Sequence, residues 1–347
     1  MHIDLYKIPQ SGPDDISGLD NLITTGKLNP TDILAILGKT EGNGCVNDFT
    51  RGFASQTLKT YLANQLGLNA ANEIVYIMSG GTEGVISPHI NVFTRRESAP
   101  EAPRRWGLVM GISRTRPFVP QEIGSLTMVE TVAQAVAAAI EEAGLTPETV
   151  QFVQIKCPLV QANQESSGPK RSSYQSMADS RGASALGVAL ALGEISPDSL
   201  QSDIVCQDFA LYSKTASTSA GVELQNCEIF VLGNANHSTS NLIVGHAVMQ
   251  HALDAEAVRQ AITSTGQPIS HVVNVFAKAE ADPSGFILGR RHTMLDDSDI
   301  SHTRMARAVV GSVIASIVQD PMVYVSGGGE HQGPPGGGPV AVISRLS

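Results

Sequence analysis

The stretch that decides the fold reads IVYIMSGGTE at residues 74–83, an apolar run that ends in small residues and a glutamate. The same pattern returns as MVYVSGGGE at 322–330 and, more weakly, as SAGVE at 219–223. All three copies share the form S-[GA]-G-x-E. One match alone would be ordinary, because serine before glycine is common in loops. Three matches in corresponding contexts predict an internal repeat.

A second shared element precedes each serine, a short apolar run that ends in lysine. The three runs read ILAILGK at 33–39, FVQIK at 152–156 and VVNVFAK at 272–278. Short apolar runs rich in β-branched residues predict buried strands. Each repeat therefore places a lysine at the end of a strand: Lys39, Lys156 and Lys278.

A third element lies between each lysine and its serine, a hydroxyl residue followed by arginine. It reads TRGFA at 50–54, SRGA at 180–183 and TRMA at 303–306. A serine or threonine before an alanine-rich segment is a helix N-cap signal. We therefore expect Arg51, Arg181 and Arg304 in first helical turns, with further helices near 128–143 and 255–262.

The predicted fold is α/β, with three repeated α/β units at 1–103, 104–240 and 241–347. Within the middle unit, the polar stretch 161–173 predicts an extended loop. The glycine- and proline-rich stretch 333–339 is expected to wrap a site or an ion.

Composition excludes several classes of function for the 347-residue chain. A formal net charge of −10 argues against nucleic-acid binding, which needs clustered lysine and arginine. Apolar runs are too short for a membrane span, and no secretory signal is recognised. The four cysteines have no C-x-x-C spacing, so a zinc site or disulfide framework is not expected and a reducing cytoplasm is the simplest setting.

Serine at neutral pH needs a neighbouring base before it can attack a carbonyl. A Ser-His-Asp triad is not supported, since no histidine recurs and no G-x-S-x-G motif is present. Lysine does recur, and a buried lysine can lose its proton and act as the base.

Neighbouring carboxylates distinguish the three lysines. Alternation along a strand would place Glu41 beside Lys39 and Glu280 beside Lys278, where each favours the ammonium form. Lys156 is followed by Cys157 and Pro158, with no acidic residue near it in sequence. We therefore expect Lys156 to be the base and Ser219 the nucleophile.

The arginines indicate the kind of ligand. Three forked, always-charged donors suit carbonyl oxygens arranged around a small ring. Backbone N–H groups of the serine turns could add an oxyanion hole. The recurring glutamates Glu83, Glu223 and Glu330 are interpreted as structural supports of those turns.

With these motifs in place, the chain resembles the cyanuric acid hydrolase and barbiturase family of ring-opening amidohydrolases along essentially its whole length. The resemblance is carried by GKTEGNG at 38–44, SRGASALG at 180–187, GRRHTM at 289–294 and SGGGE at 326–330. It implies three α/β units with pseudo-threefold symmetry around a central strand barrel, and a homotetramer.

The resemblance also assigns roles to residues of this sequence. It implies attack by Ser219 on a ring carbonyl with Lys156 as base, followed by hydrolysis of the acyl-enzyme. The implied substrate contacts are Arg51, Ser79, Gly80, Arg181, Ser219, Ala220, Arg304, Ser326 and Gly327, with Lys39 and Lys278 in the two remaining pairs. A structural Mg²⁺ or Ca²⁺ is implied, held by Glu280, Gly329, Gln332, Gly333, Pro334 and Gly337.

Three functions remain open from the sequence. The first is cyanuric acid amidohydrolase, which yields carboxybiuret and then biuret and CO₂. The second is barbiturase, whose substrate differs by one ring atom. The third, from another class, is a non-catalytic protein that binds a cyclic imide; intact Ser219 and Lys156 argue against it.

Overall fold

The computed structural model describes residues 1–99, 101–161, 172–201 and 203–347. In these ranges the chain forms three four-stranded sheets and one short hairpin, with helices packed on the sheets. Nearly all of the loop predicted at 161–173 lies outside the described residues.

The first sheet has the strand order β1-β4-β2-β3, with β2 and β3 parallel and the other pairs antiparallel. Three helices accompany it. The elements are β1 (His2–Pro9), α1 (Ser17–Thr24), β2 (Ile33–Thr40), α2 (Phe49–Leu66), α3 (Leu68–Glu73), β3 (Val75–Gly80) and β4 (His89–Arg96).

The second sheet has the order β5-β8-β6-β7, again with one parallel pair, β6 and β7. Two helices accompany it, and Gly144 (φ +63°) follows the first of them in the left-handed conformation typical of a helix end. The elements are β5 (Arg105–Arg114), α4 (Leu126–Glu142), β6 (Val150–Pro158), α5 (Ser173–Ala191), β7 (Ala216–Gly221) and β8 (Glu228–Ser238).

The third sheet has the order β13-β10-β14-β9, in which β10 and β13 are parallel. A separate hairpin joins β11 and β12. The elements are β9 (Leu242–Met249), α6 (Ala255–Ser264), β10 (Val272–Ala279), β11 (Phe286–Ile287), β12 (Arg290–Arg291), α7 (His302–Val318), β13 (Tyr324–Gly327) and β14 (Gly338–Arg345).

All three sheets therefore share one topology. Counted within each sheet, the strands run in the order first-fourth-second-third, and the second and third are parallel. A parallel pair needs a long crossover connection, which here contains α2, α5 or α7. The predicted lysine strands are β2, β6 and β10, so those three predictions are confirmed.

Each sheet is buried on both faces, which explains why its strands read as continuous apolar runs. One face carries the helices and forms a core of its own. The opposite faces meet in one common core, where Phe93 packs against Phe230 with ring centroids 4.8 Å apart and against Phe276 at 6.1 Å. These three rings come from three different sheets.

One expectation about the fold is wrong, and another stays a prediction. A closed central barrel is not found, because the strands of the described residues form separate sheets. The sheets lie within 1–103, 104–240 and 241–347, but the division into units at those boundaries stays a prediction. No helix in the described ranges is long and apolar enough to cross a membrane.

The helix starts also differ from the prediction. Asp48, not Thr50, caps α2, and its carboxylate accepts the Thr50 N–H. Helix α5 begins at Ser173, so Arg181 lies in the middle of that helix and not in its first turn.

Candidate active site

Three lysine–serine pairs lie side by side on the three parallel strand pairs. In register, Lys39 faces Ser79, Lys156 faces Ser219, and Lys278 faces Ser326. Because side chains alternate along a strand, register partners on neighbouring strands project from the same face. The predicted pairing of a lysine with a serine in each repeat is therefore present, although each serine belongs to a strand and not to the turn after it.

The three amines are buried and hydrogen-bonded. Lys39 donates to Ser79 Oγ and to the Gly80 carbonyl, both at 3.3 Å. Lys278 donates to Ser326 Oγ at 3.2 Å and to the carbonyl of Thr218. Lys156 instead donates to the carbonyl of Met78 at 2.9 Å. Lys156 and Lys278 thus each donate to a strand of a neighbouring sheet, and in both cases it is the strand that carries the serine of that sheet.

Ser219 differs from its two counterparts. Its hydroxyl oxygen is buried and has no hydrogen bond to any described residue, whereas Ser79 and Ser326 each accept one from their lysine. A hydroxyl without an internal partner is free to contact a ligand.

Three arginines and the three serines line one small cavity of about 20 Å³. The arginines are Arg51, Arg181 and Arg307, and all are at least 94% buried. The remaining lining residues are Gly44, Gly80, Met177, Ala220 and Gly327. The structure thus brings together Arg51, Arg181 and the three serine segments predicted as substrate contacts.

Arg304 does not line this cavity, and its prediction as the third equivalent arginine is wrong in position. It lies in the first turn of α7, and one guanidinium nitrogen is 3.9 Å from Cys45 Sγ. Arg307, one helical turn further along α7, occupies the place expected for it. The sequence pattern predicted Arg304 because it follows a threonine. The rotation of helix α7 about its axis, however, directs Arg307 and not Arg304 to the cavity.

Two of the arginines are clamped by a glutamate that follows a strand of another sheet. Arg181 makes a bidentate pair with Glu330 at 2.6 and 2.7 Å, and Arg307 makes one with Glu83 at 2.5 and 2.8 Å. Bidentate pairs of this kind fix both the position and the plane of the guanidinium. Arg51 has no such clamp and donates to the carbonyls of Ala220 (3.1 Å) and Cys45 (2.8 Å).

The glutamate equivalent to those two is Glu223, and it pairs with lysine. Its Oε1 lies 3.2 Å from Nζ of Lys156. The expectation that Lys156 lacks a carboxylate is therefore wrong, because the acid comes from the turn after the neighbouring strand. The expected carboxylate beside Lys39 is also wrong, since Glu41 is exposed and the acids acting on Lys39 are Glu83 and Asp48.

Burial is the main influence on the three amines. It holds the pKa of Lys39 and of Lys278 well below the ordinary value, and Arg307 and Arg181 respectively lower them further. Burial also lowers the pKa of Lys156, but Glu223 opposes that effect while Arg51 supports it. A low pKa makes a lysine available as a neutral base.

Four of the six residues predicted to hold a cation lie around one cavity, and the cation itself stays a prediction. Glu280, Gly329, Pro334 and Gly337 line one cavity of about 190 Å³. Glu280 is 3.0 Å from His302, which raises the pKa of that imidazole. No group of three or more His, Cys, Asp or Glu side chains within the described ranges could hold a metal. One carboxylate with backbone carbonyls is a donor set suited to a hard cation.

Gln332 and Gly333 are held by other contacts in the same loop. The Gln332 amide oxygen accepts the Thr218 N–H at 2.6 Å, and its nitrogen donates to Gly328 O at 2.9 Å. The Gly333 N–H donates to Ser213 O. The Gln332 side chain therefore supports Thr218, the residue before Ser219.

Neither Arg307 nor the contact made by Glu223 was predicted from the sequence. The recurring glutamates carried a signal for both, since three acids and three arginines at equivalent positions can pair with one another.

A larger cavity of about 580 Å³ lies elsewhere, beside Gly124 and Gln207, and none of the recurring lysines, serines or arginines lines it. The cavity lined by the three serines and three arginines, here called the repeated cluster, is therefore the better candidate site.

Comparison with known proteins places this site in a family context. A family model described as amidohydrolase ring-opening protein matches residues 4–345. A cyanuric acid amidohydrolase of Enterobacter cloacae is 49% identical over 373 aligned residues, covering 100% of both chains. Its counterpart in Pseudomonas sp. strain ADP is 48% identical and covers 99% of both.

Solved structures agree with the sequence relatives. A cyanuric acid hydrolase structure superposes with a TM-score of 0.94 at 46% identity, covering 99% of both chains. A second one, from A. caulinodans, has a TM-score of 0.94 at 47% identity and covers 100% of this chain and 99% of that chain.

Proposed function

We propose that this chain, which belongs to the ring-opening amidohydrolase family, hydrolyses cyanuric acid. The observation that carries the proposal is the cavity lined by three serines and three buried arginines, with a buried lysine paired to each serine. Relatives that are about half identical along their full length are cyanuric acid amidohydrolases.

The repeated cluster suits a flat ring with three equivalent carbonyl groups. Arg51, Arg181 and Arg307 supply one guanidinium per repeat, and each can donate to a carbonyl oxygen. The serine segments 79–80, 219–220 and 326–327 supply hydroxyl and backbone groups between them. Matching donors to all three carbonyls would orient the ring before any bond is broken.

Acylation would be performed by the middle pair. Neutral Lys156 takes the proton of Ser219 as Oγ bonds to a ring carbonyl carbon, and neighbouring donors stabilise the oxyanion. The ammonium then gives its proton to the ring nitrogen, and the C–N bond breaks. The opened ring remains attached to Ser219 as an acyl-enzyme.

Deacylation would reverse the roles of the same groups. Lys156, neutral again, accepts a proton from water as the water attacks the acyl carbon, and Ser219 regains its proton on leaving. The product is carboxybiuret, which loses CO₂ to give biuret.

The middle pair is proposed for reasons that the other two do not share. Ser219 is the serine whose hydroxyl is not already bonded to its lysine. Arg51, beside it, is the arginine without a glutamate clamp. The pairs Lys39–Ser79 and Lys278–Ser326 would hold the substrate.

Steady-state assays with cyanuric acid and barbituric acid test the proposal. We expect turnover of cyanuric acid with kcat/KM well above that for barbituric acid. A preference for barbituric acid would assign the chain to barbiturase, and turnover of neither ring would favour a non-catalytic binding protein.

Four further features belong to the proposal. The shared topology of the sheets supports a pseudo-threefold arrangement around the common core. Exposed Phe49 and Phe53 on α2 offer an apolar surface to a homotetramer contact. A structural Mg²⁺ or Ca²⁺ would hold the C-terminal loop in place, with ligands from Glu280, Gly329, Gln332, Gly333, Pro334 and Gly337. The four free cysteines favour the cytoplasm as the location of the protein.

A further inference from the structure

The three recurring glutamates do not have the same partner. Glu83 and Glu330 clamp arginines, whereas Glu223, four residues after Ser219 just as they follow their serines, contacts Lys156. The repeat thus differs at one contact, and that contact lies at the pair proposed to react.

We propose that Glu223 is a positioning residue for Lys156: it orients the amine beside Ser219 and stabilises the ammonium formed when the serine is deprotonated. This inference rests on the proposed function. It gives Glu223 the role that a carboxylate has behind the base of other serine hydrolases, where it orients the base and stabilises its charged form.

The geometry fits an orienting contact. Nζ of Lys156 donates a hydrogen bond to Met78 O at 2.9 Å and forms an ion pair with Glu223, whose Oε1 lies 3.2 Å away. A flexible four-carbon side chain held at two points loses most of its rotational freedom. The Lys156 side chain is 1% exposed and that of Glu223 is 25% exposed, so the carboxylate also links a buried amine to the solvent side.

Because Glu223 contacts Lys156, Arg51 has no bidentate glutamate partner. With no carboxylate clamp, two guanidinium nitrogens donate only to backbone carbonyls, and Nε lies 3.9 Å from Asp48 Oδ2, which is too long for a hydrogen bond. Arg51 therefore keeps donor capacity next to Ser219, since its buried Nε has no hydrogen-bond partner among the described residues. A spare donor is useful where negative charge develops on a carbonyl oxygen.

The charged and titratable groups that act on Lys156 are Glu223, Arg51 and the Cys157 thiol. Glu223 favours the ammonium form and Arg51 opposes it. If Glu223 loses its charge, the amine loses the main group that holds its proton, so its pKa falls. Neutral Lys156 then persists to lower pH, but it is a weaker base and its ammonium form is less stable.

In the acylation step the atoms balance without an added reactant. The Ser219 O–H bond breaks, its proton bonds to Nζ, and Oγ bonds to the carbonyl carbon. Glu223 accepts a hydrogen bond from Nζ before and after the transfer. The proton then moves from Nζ to the ring nitrogen as the C–N bond breaks.

The test compares the pH profiles of kcat/KM for the wild-type protein, Glu223→Gln and the matched control Glu83→Gln, with cyanuric acid as substrate. For Glu223→Gln we expect the acidic limb to move to lower pH by about one unit or more, together with a lower kcat. Glu83→Gln should raise KM, because Arg307 loses its clamp, but leave the limb in place.

A second variant covers the case in which Glu223→Gln is too slow to assay. Glu223→Asp keeps the charge but shortens the reach, and we expect a smaller limb shift in the same direction. A wild-type limb in both Glu223 variants, or an equal shift in Glu83→Gln, would overturn the inference. Failure of the proposed function would show separately, as a wild-type protein that does not turn over cyanuric acid.

Discussion

Lys156 and Ser219 are register partners on the adjacent parallel strands β6 and β7. Neighbouring strands lie about 4.8 Å apart, so an amine and a hydroxyl at partnered positions on one face are held close by the backbone itself. The same register pairs Lys39 with Ser79. The scaffold therefore builds three similar pairs, which differ in the residues that surround them.

Replacement of the three serines by alanine should separate their roles. We expect Ser219→Ala to lower kcat by about 10⁴-fold or more, since it removes the proposed nucleophile. Ser79→Ala and Ser326→Ala each remove one hydrogen bond, worth about 1 kcal/mol, so kcat/KM should fall by about tenfold or less. Near-full turnover by Ser219→Ala together with loss in either other variant would assign the chemistry to another pair.

The two arginines of α7 should behave differently. Arg307→Gln should lower kcat/KM by about 10²-fold or more, because it removes a cavity donor and leaves Glu83 without its bidentate partner. Arg304→Gln is the matched control on the same helix and should stay within about threefold of wild type. Equal losses in both variants, with unchanged thermal stability, would restore Arg304 to the site.

Acid should destabilise the protein partly through His89. Burial lowers the pKa of this imidazole to about 4, against about 6.5 in the unfolded chain. Between these values the unfolded state binds a proton that the native state does not, so stability falls as pH decreases through that window, by up to about 3 kcal/mol. Urea unfolding at pH 7.5 and pH 5 measures the difference.

The control for that measurement is His89→Gln, which has no proton to gain. Its unfolding midpoint should change less between the two pH values than that of the wild-type protein. An identical change in both proteins would show that His89 does not contribute.

The common core should be sensitive at the aromatic cluster. Phe93→Ala removes a fully buried ring that contacts Phe230 and Phe276 from the other two sheets, and we expect a loss of about 3–5 kcal/mol in the free energy of unfolding. Phe286→Ala, at a half-exposed ring, should cost about 0.5 kcal/mol or less. Equal, small losses would indicate that the three sheets are not joined through this core.

Much of the scaffold could be predicted from the sequence because its signals are local. An apolar run that ends in lysine predicts a strand, and its recurrence with a serine segment is enough to locate the three lysine–serine pairs. The strands that carry Lys39, Lys156 and Lys278 are where they were expected. Local periodicity requires no knowledge of how distant segments meet.

The errors concern helix phase and contacts between distant segments. Arg304 and Arg307 are one turn apart, and only the packing of α7 decides which of them faces the cavity. Glu223 is 67 residues from Lys156 in sequence, so no neighbour rule along one strand could have paired them. The closed barrel was expected from the family resemblance. Whether neighbouring sheets hydrogen-bond to each other depends on tertiary packing, which local sequence patterns do not specify.

Acylation of Ser219 by cyanuric acid, with Lys156 as the base, is tested most directly by mass spectrometry of acid-quenched turnover mixtures. Ring opening keeps every substrate atom on the enzyme, so the peptide that contains Ser219 should gain the mass of one substrate molecule. The adduct should be absent from Lys156→Ala. An adduct on the peptide that contains Ser79 or Ser326, with Ser219 unmodified during turnover, would contradict the account.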